Sequence, residues 1–239
     1  MLDKKRGYAE HRPFYFVDTN VNIRAGMIAF LANNGTTDVA TTAASGTVPI
    51  GTFWKDRATT YIRTAIETVT FNAAGIVTLS KGNVLSTGDI RVTDATQTNV
   101  AIQGADYTVG TNNGIVTRIP GGAIPALATG VIWYKYVLQN AQVYWNDVST
   151  SYTATGYNYD RQPDDTMGSS KITVVEGWAQ LYTDQYDVTM TYVLNHELYS
   201  DANSMWTPIA GTTTACGRVI HVPSASDPFL GVQQVTVAI

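Results

Sequence analysis

Cysteine and histidine are nearly absent: 239 residues hold one cysteine, Cys216, and three histidines, His11, His196 and His221. One cysteine excludes an intrachain disulfide and any multi-cysteine metal site. The histidines lie far apart, and His196-Glu197 lacks the second histidine, four residues after the first, that a zincin helix carries. Charge is scarce as well, at 14% of residues against ~25% in an ordinary domain. The Gly-x-Ser-x-Gly elbow and both Gly-rich phosphate loops are missing. No apolar run approaches the ~18 residues of a membrane-spanning helix, so no membrane partner is expected. Lys4-Lys5-Arg6 leads into Gly7-Tyr8-Ala9-Glu10 rather than an apolar run, which predicts no secretory leader and synthesis in the cytoplasm.

Thr, Gly, Ala, Val, Tyr and Asn fill the gap. That set suits pleated sheets and turns and makes poor solvated helices. Apolar residues still make up 44%, which argues for a packed chain rather than a disordered one. The length allows one large or two modest cores. The strongest local signal is Asn112-Asn113-Gly114 between Tyr107-Thr108-Val109 and Ile115-Val116-Thr117-Arg118-Ile119, a hairpin pattern whose turn needs positive φ at its centre.

Read in order, residues 1–20 form an extended N-terminal arm with one apolar anchor, Phe14-Tyr15-Phe16-Val17. Its basic residues Lys4, Lys5, Arg6 and Arg12 belong either to a solvated tail or to a docking arm. Residues 21–66 carry alternating segments at Val21–Leu31, Val39–Thr42 and Ser45–Trp54, where Pro49 predicts an edge strand or a barrel rim. Asp56–Ile66 has helical spacing at Ala58, Ile62 and Ala65, but Thr59-Thr60-Tyr61 favours loop or strand. From 67 to 138 short strands alternate with turn signals, the pattern of a small β-sandwich module. Residues 139–239 open with an irregular, Tyr-rich excursion to about 170, then return to strands at Ile172–Val175, Trp178–Tyr182 and Val188–Val193.

Residues 139–201 hold nine acids against two bases, net −7, which leaves +3 for the rest of the chain. Only the first dozen residues cluster basic charge, too little for a nucleic-acid face, so none is expected as partner. Asp160, Asp164 and Asp165 lack EF-hand spacing and its central glycine, and read as a solvated acidic loop. Cys216 lies in Thr-Ala-Cys-Gly-Arg, which matches no cysteine-protease signature, and reads as a small buried hydrophobe. Two glycosidase carboxylates would leave no mark in sequence, and aromatic loops can stack on sugars. With no positive catalytic sign, the expectation is a non-enzymatic protein without metal or cofactor. Tyr144, Trp145, Tyr157 and Tyr159 are then expected at subunit contacts, because interfaces are enriched in such rings.

Two segments carry a family resemblance. Arg24–Gly35 followed by Ala43–Phe53, with its Val48-Pro49-Ile50-Gly51, resembles the small β-barrel of tailed-bacteriophage head decoration (cement) proteins. Leu198–Asn203, Cys216–Ile220 and Pro223–Val232 look like the same kind of barrel. The middle module, with Gly104–Val109, Gly114–Ile119 and Trp133-Tyr134-Lys135-Tyr136, is similar to β-sandwich modules of phage tail and head proteins. The resemblance implies an all-β chain with small β-barrel parts at its ends, as one barrel or two, and a central β-sandwich. It implies a structural virion protein, a homo-oligomer on the capsid surface, whose partner is the major capsid protein. The alternatives are a tail tube or tail-associated protein and a host-glycan-binding module.

Overall fold

Alternating β-branched and aromatic side chains, punctuated by glycine and asparagine, keep most of this backbone extended. The computed structural model describes residues 2–8, 11–17, 23–33, 38–42, 48–54, 62–85, 88–137, 171–211 and 214–235. Among the described residues there is no helix, and the protein is all-β. The first strands are β1 Leu2–Tyr8, β2 His11–Val17, β3 Ile28–Asn33, β4 Asp38–Thr41 and β5 Val48–Phe53. The middle ones are β6 Ile62–Thr70, β7 Ile76–Thr78, β8 Ile90–Asp94, β9 Val100–Ala101, β10 Tyr107–Gly110, β11 Ile115–Arg118 and β12 Thr129–Val137. The last are β13 Lys171–Val175, β14 Trp178–Thr183, β15 Glu197–Ser200, β16 Trp206–Thr207, β17 Gly217–His221 and β18 Leu230–Val235.

Two compact units divide the chain, one of Met1–Tyr61, Gln139–Pro223 and Phe229–Ile239, the other of Ile62–Leu138 and Ser224–Pro228. In the first, β13-β2-β4-β3-β5 close into a barrel, and β1-β14-β18-β17-β15-β16 form an open sheet. The barrel thus takes its strands from residues 11–53 and 171–175. Leu198–Asn203, Cys216–Ile220 and Pro223–Val232, expected to look like the same kind of barrel, instead give β15, β17 and β18 of the open sheet. Ile23, Met27, Ala29, Ala40, Ile50, Phe53, Val174 and Met205 pack as one apolar cluster. Val175, Ala179 and Leu181 form another, with Trp54 against them.

The N-terminal arm is no solvated tail. β1 pairs antiparallel with β14, setting Lys4 opposite Leu181 and Arg6 opposite Gln180, with a register shift between Lys4 and Arg6 where Lys5 falls. β2 runs antiparallel to β13, Arg12 opposite Val174, and parallel to β4. Neither side-chain charge nor apolar periodicity predicted this. The ladder hydrogen bonds of β13 and β14 offset the ordering cost of ~1–2 kcal/mol per residue.

Two polar knots join distant segments inside this unit. Gln234, fully buried, donates through Nε2 to the carbonyls of Val175 (2.9 Å) and Gly177 (3.0 Å), and its Oε1 accepts from the Thr52 hydroxyl. The Gly26 carbonyl accepts from Trp206 Nε1 (2.9 Å) and Thr183 Oγ1 (3.3 Å). Gly26 has φ +96°, and a Cβ there would sit 2.2 Å from Thr183 Oγ1, so both the backbone conformation and the space demand glycine. Pro49 lies opposite Phe30, at a register shift in β3 and beyond the two β5 residues that pair with β13, where a ladder donor is dispensable.

The strand expected at Val188–Val193 is irregular instead. Asp187 Oδ1 accepts from Thr189 N (2.9 Å) and Oγ1 (2.6 Å), and Tyr192 Oη reaches the carbonyls of Asp187 and Trp206 (both 2.9 Å). A local Asx turn overrides the β propensity of Val, Thr and Tyr.

The second unit has a four-stranded sheet, β6-β12-β8-β9, and a three-stranded one, β10-β11-β7. It begins at Ile62 rather than the expected 67, because Ile62 pairs with Val137 at the end of the β6–β12 ladder. The former helix candidate therefore starts β6 at its C-terminal end, while 56–61 lie outside the described residues. β12 is buried on both faces from Gly130 to Tyr136. The hydroxyl of Tyr134 donates to Glu67, which also accepts from Ser80 N (3.1 Å) and Oγ (2.6 Å), tying β12 and β6 to the turn after β7. Burial, then this bond to a carboxylate, hold the Tyr134 hydroxyl well above its usual range.

The Asn-Gly hairpin forms, with β10 opposite β11, but its loop has four residues, Thr111–Gly114, after the closing pair Gly110–Ile115. Only Gly114 in that loop has positive φ (64°), and a Cβ on it would lie 2.5 Å from the Lys81 carbonyl oxygen. Asn113 Oδ1 accepts from Ile115 N at 3.3 Å, so the asparagine closes the turn through its side chain rather than its backbone.

Candidate interaction surface

Of the residues singled out from sequence, Tyr144, Trp145, Tyr157 and Tyr159 lie outside the described residues, as do Asp160, Asp164 and Asp165. Lys4, Lys5 and Arg6 lie in β1 and Arg12 in β2, both paired strands.

Three of the described aspartates close turns and loops. Asp94, at the end of β8, accepts from Thr96 Oγ1 (3.0 Å), Thr98 N (2.9 Å), Thr98 Oγ1 (3.1 Å) and Asn99 Nδ2 (2.6 Å). Burial pulls its carboxyl upward, but these bonds outweigh that and hold it well below the usual range. Asp106 accepts from Ile102 N (2.7 Å) and Ala123 N (2.6 Å), and these two N–H groups lower its pKa in the same way. Asp201 takes Asn203 N (2.8 Å) and Met205 N (2.7 Å). Such carboxylates hold turns and loops by accepting from neighbouring donors. Among the described residues no three of His, Cys, Asp and Glu gather as metal ligands would. Cys216 is buried, which pushes its thiol up to about 11, the state of a packing residue rather than a nucleophile.

What the fold does assemble is an apolar groove in the second unit. It has about 430 Å³ of free space, its open mouth included, between Phe71, Val92, Val100, Ala101, Ile124, Pro125 and Ala128, with Asp94 and Asn99 on its wall. It lies at the Thr70–Thr129 end of the β6–β12 ladder, opposite the Ile62–Val137 end. Nine residues of strand separate these ends, about 27 Å at ~3.3 Å per residue. Val100 (53% exposed) lines the groove, and Ile102 (66%) and Leu127 (63%) adjoin its lining residues Ala101 and Ala128 in sequence. Leu127 also has φ +59°, a left-handed conformation that costs a branched side chain roughly 1 kcal/mol.

Sequence reasoning passed over these residues. Val100-Ala101-Ile102 read as an ordinary strand. The one available signal was the apolar content of Ile124-Pro125-Ala126-Leu127-Ala128 in a connection between strands, where polar turn residues are the rule.

Compared with known proteins, the chain matches no family model, no curated protein and no solved structure.

Proposed function

We propose that this protein is a structural component of a tailed-phage particle, binding the outer surface of the assembled shell and cementing neighbouring capsomers as a homo-oligomer. The observation that carries the reading is the closed barrel β13-β2-β4-β3-β5, whose strands come from residues 11–53 and 171–175, with the middle module lying between these segments in sequence. A small barrel at that place in the sequence is what the resemblance to decoration proteins implies. Closure also suits a crowded lattice, since a barrel leaves no strand edge to pair with neighbours at random. The carboxylates engaged in turns support a scaffold reading over a hydrolytic one.

The test is co-sedimentation of purified protein with phage shells stripped of their outer proteins. Saturable binding at a fixed number of copies per capsomer, with a rise in the temperature at which shells rupture, is expected. Binding to tail tubes or to glycans, with none to shells, would replace the proposal with one of its alternatives.

A further inference from the structure

We infer that the groove end of the second unit is a docking site for a short extended segment of a partner protein, one carrying an apolar side chain next to a basic one. The inference concerns this site alone; it and the shell-binding proposal can each fail without the other.

Three features define the occupant. The first is an open sheet edge. Among the described strands β9 is last in its sheet, paired only with β8. Asp94 N bonds to Asn99 O, so the alternation of an antiparallel ladder turns Val92 and Ala101 toward each other and turns the N–H and C=O of Val100 outward. Those two groups fit the backbone of an added strand. The adjoining edge position is already closed, because Ile102 N goes to Asp106 and Ile102 O receives Asp106 N. The contact is therefore short, about three residues of the partner.

The second feature is the groove beside that edge, with room for one large apolar side chain and no exposed ring or free hydrogen-bonding cluster that a sugar would need. Val100, Ile102 and Leu127, three large apolar residues each more than half exposed, stand in or next in sequence to the groove lining. Three residues are far fewer than the ~20–30 a side of a standard stable interface, which argues against a second copy docking tip to tip. An added strand gains main-chain hydrogen bonds as well and needs less area.

The third feature is charge. Asp94 is the one ionisable residue in the groove wall, and its hydrogen bonds keep it ionised. The segment that fits brings a lysine or arginine beside its apolar residue.

The experiment titrates full-length isotope-labelled protein with the peptide Thr-Val-Thr-Lys-Leu-Lys-Thr-Val-Thr, capped at both ends, and follows backbone NMR shifts. We expect saturable, sub-millimolar binding with shifts confined to Asp94–Ile102 and Ala123–Gly130. N-methylation of the peptide backbone around its leucine, or exchange of its lysines for glutamates, should weaken binding at least tenfold and threefold respectively. Leu127→Gly relieves the left-handed strain while removing a contact, so the fold should persist and binding should fall at least threefold. Ala128→Trp should fill the groove and abolish it. No saturable shift at this site, equal binding by the N-methylated peptide, or a concentration-dependent dimer that Leu127→Gly dissolves would overturn the inference.

Discussion

The strands of residues 62–138 pair only among themselves, whereas the barrel unit draws its strands from Leu2 to Val235. The β6–β12 ladder brings the two ends of the first segment together, Ile62 opposite Val137, and its hairpins are local. In the barrel unit the ties that matter span most of the chain: Gln234 with Thr52 and Trp206 with Gly26 lie 182 and 180 residues apart. Local pairings close small loops and cost little chain entropy; distant ones must be reached before they return anything. The two units should accordingly differ in how damage spreads.

The largest effect expected comes from the N-terminus. Deleting residues 2–12 removes β1 and the start of β2, breaking the barrel and exposing the β14 edge. Calorimetry should then show the barrel-unit transition gone, and limited proteolysis should release a resistant fragment near 62–137. A truncated chain with the melting profile of the full-length one would dissolve the contrast.

Next, Gln234→Leu leaves the buried carbonyls of Val175 and Gly177 without this donor and Thr52 without its acceptor. A loss of about 2–4 kcal/mol is expected, read as a lower Tm for the barrel unit alone. Gly26→Ala should cost on the order of 3 kcal/mol in that unit, and Gly114→Ala a similar amount in the other. Each has positive φ and a close neighbour where Cβ would go. The informative reading is which transition moves. If either substitution shifts both transitions equally, the units melt as one.

The smallest effect is a pH dependence in the 62–138 unit. Burial, then the Asp106 carboxylate beside it, push the Tyr107 hydroxyl up to about 12 from ~10 in an unfolded chain. The folded state therefore holds this proton more tightly. Its contribution to stability is complete below pH ~10 and is lost as pH rises through about 12. Phenolate absorbance should show Tyr107 ionising late, together with a falling Tm for this unit; a Tyr107→Phe variant should lose part of that pH slope. An unchanged slope would place the effect elsewhere.

Legibility followed the same division. Strands at Ile76–Thr78, Ile90–Asp94 and Thr129–Val137 stand where short alternating runs put them, because the alternation that marks each strand is carried by its own few residues. Even there the Asn113-Gly114 turn needed the structure, since Gly114 is fixed by the Lys81 carbonyl, which no sequence window contains. The arm was misread because Lys4, Lys5, Arg6 and Arg12 look solvated when β14 and β13 are not in view. Val188–Val193 was misread because a side-chain oxygen of Asp187 captured the backbone first. The groove went unseen because its lining comes from β8, β9, β12 and three connections, and its apolar residues resemble core ones until exposure is known.

Composition alone determined the all-β class: abundant Thr, Val, Tyr and Gly with 14% charge leaves few ways to build solvated helices and many to build sheets. A single cysteine likewise excludes an intrachain disulfide, which leaves packing and hydrogen bonds to hold the sheets. Which strands close the barrel was decided only in three dimensions. So were the side-chain oxygens that went to backbone and the apolar residues left outside. Barrel closure depends on β13 meeting β2 and β5, more than a hundred residues earlier in the chain, and the period-2 pattern that writes a strand says which face is buried but never against what.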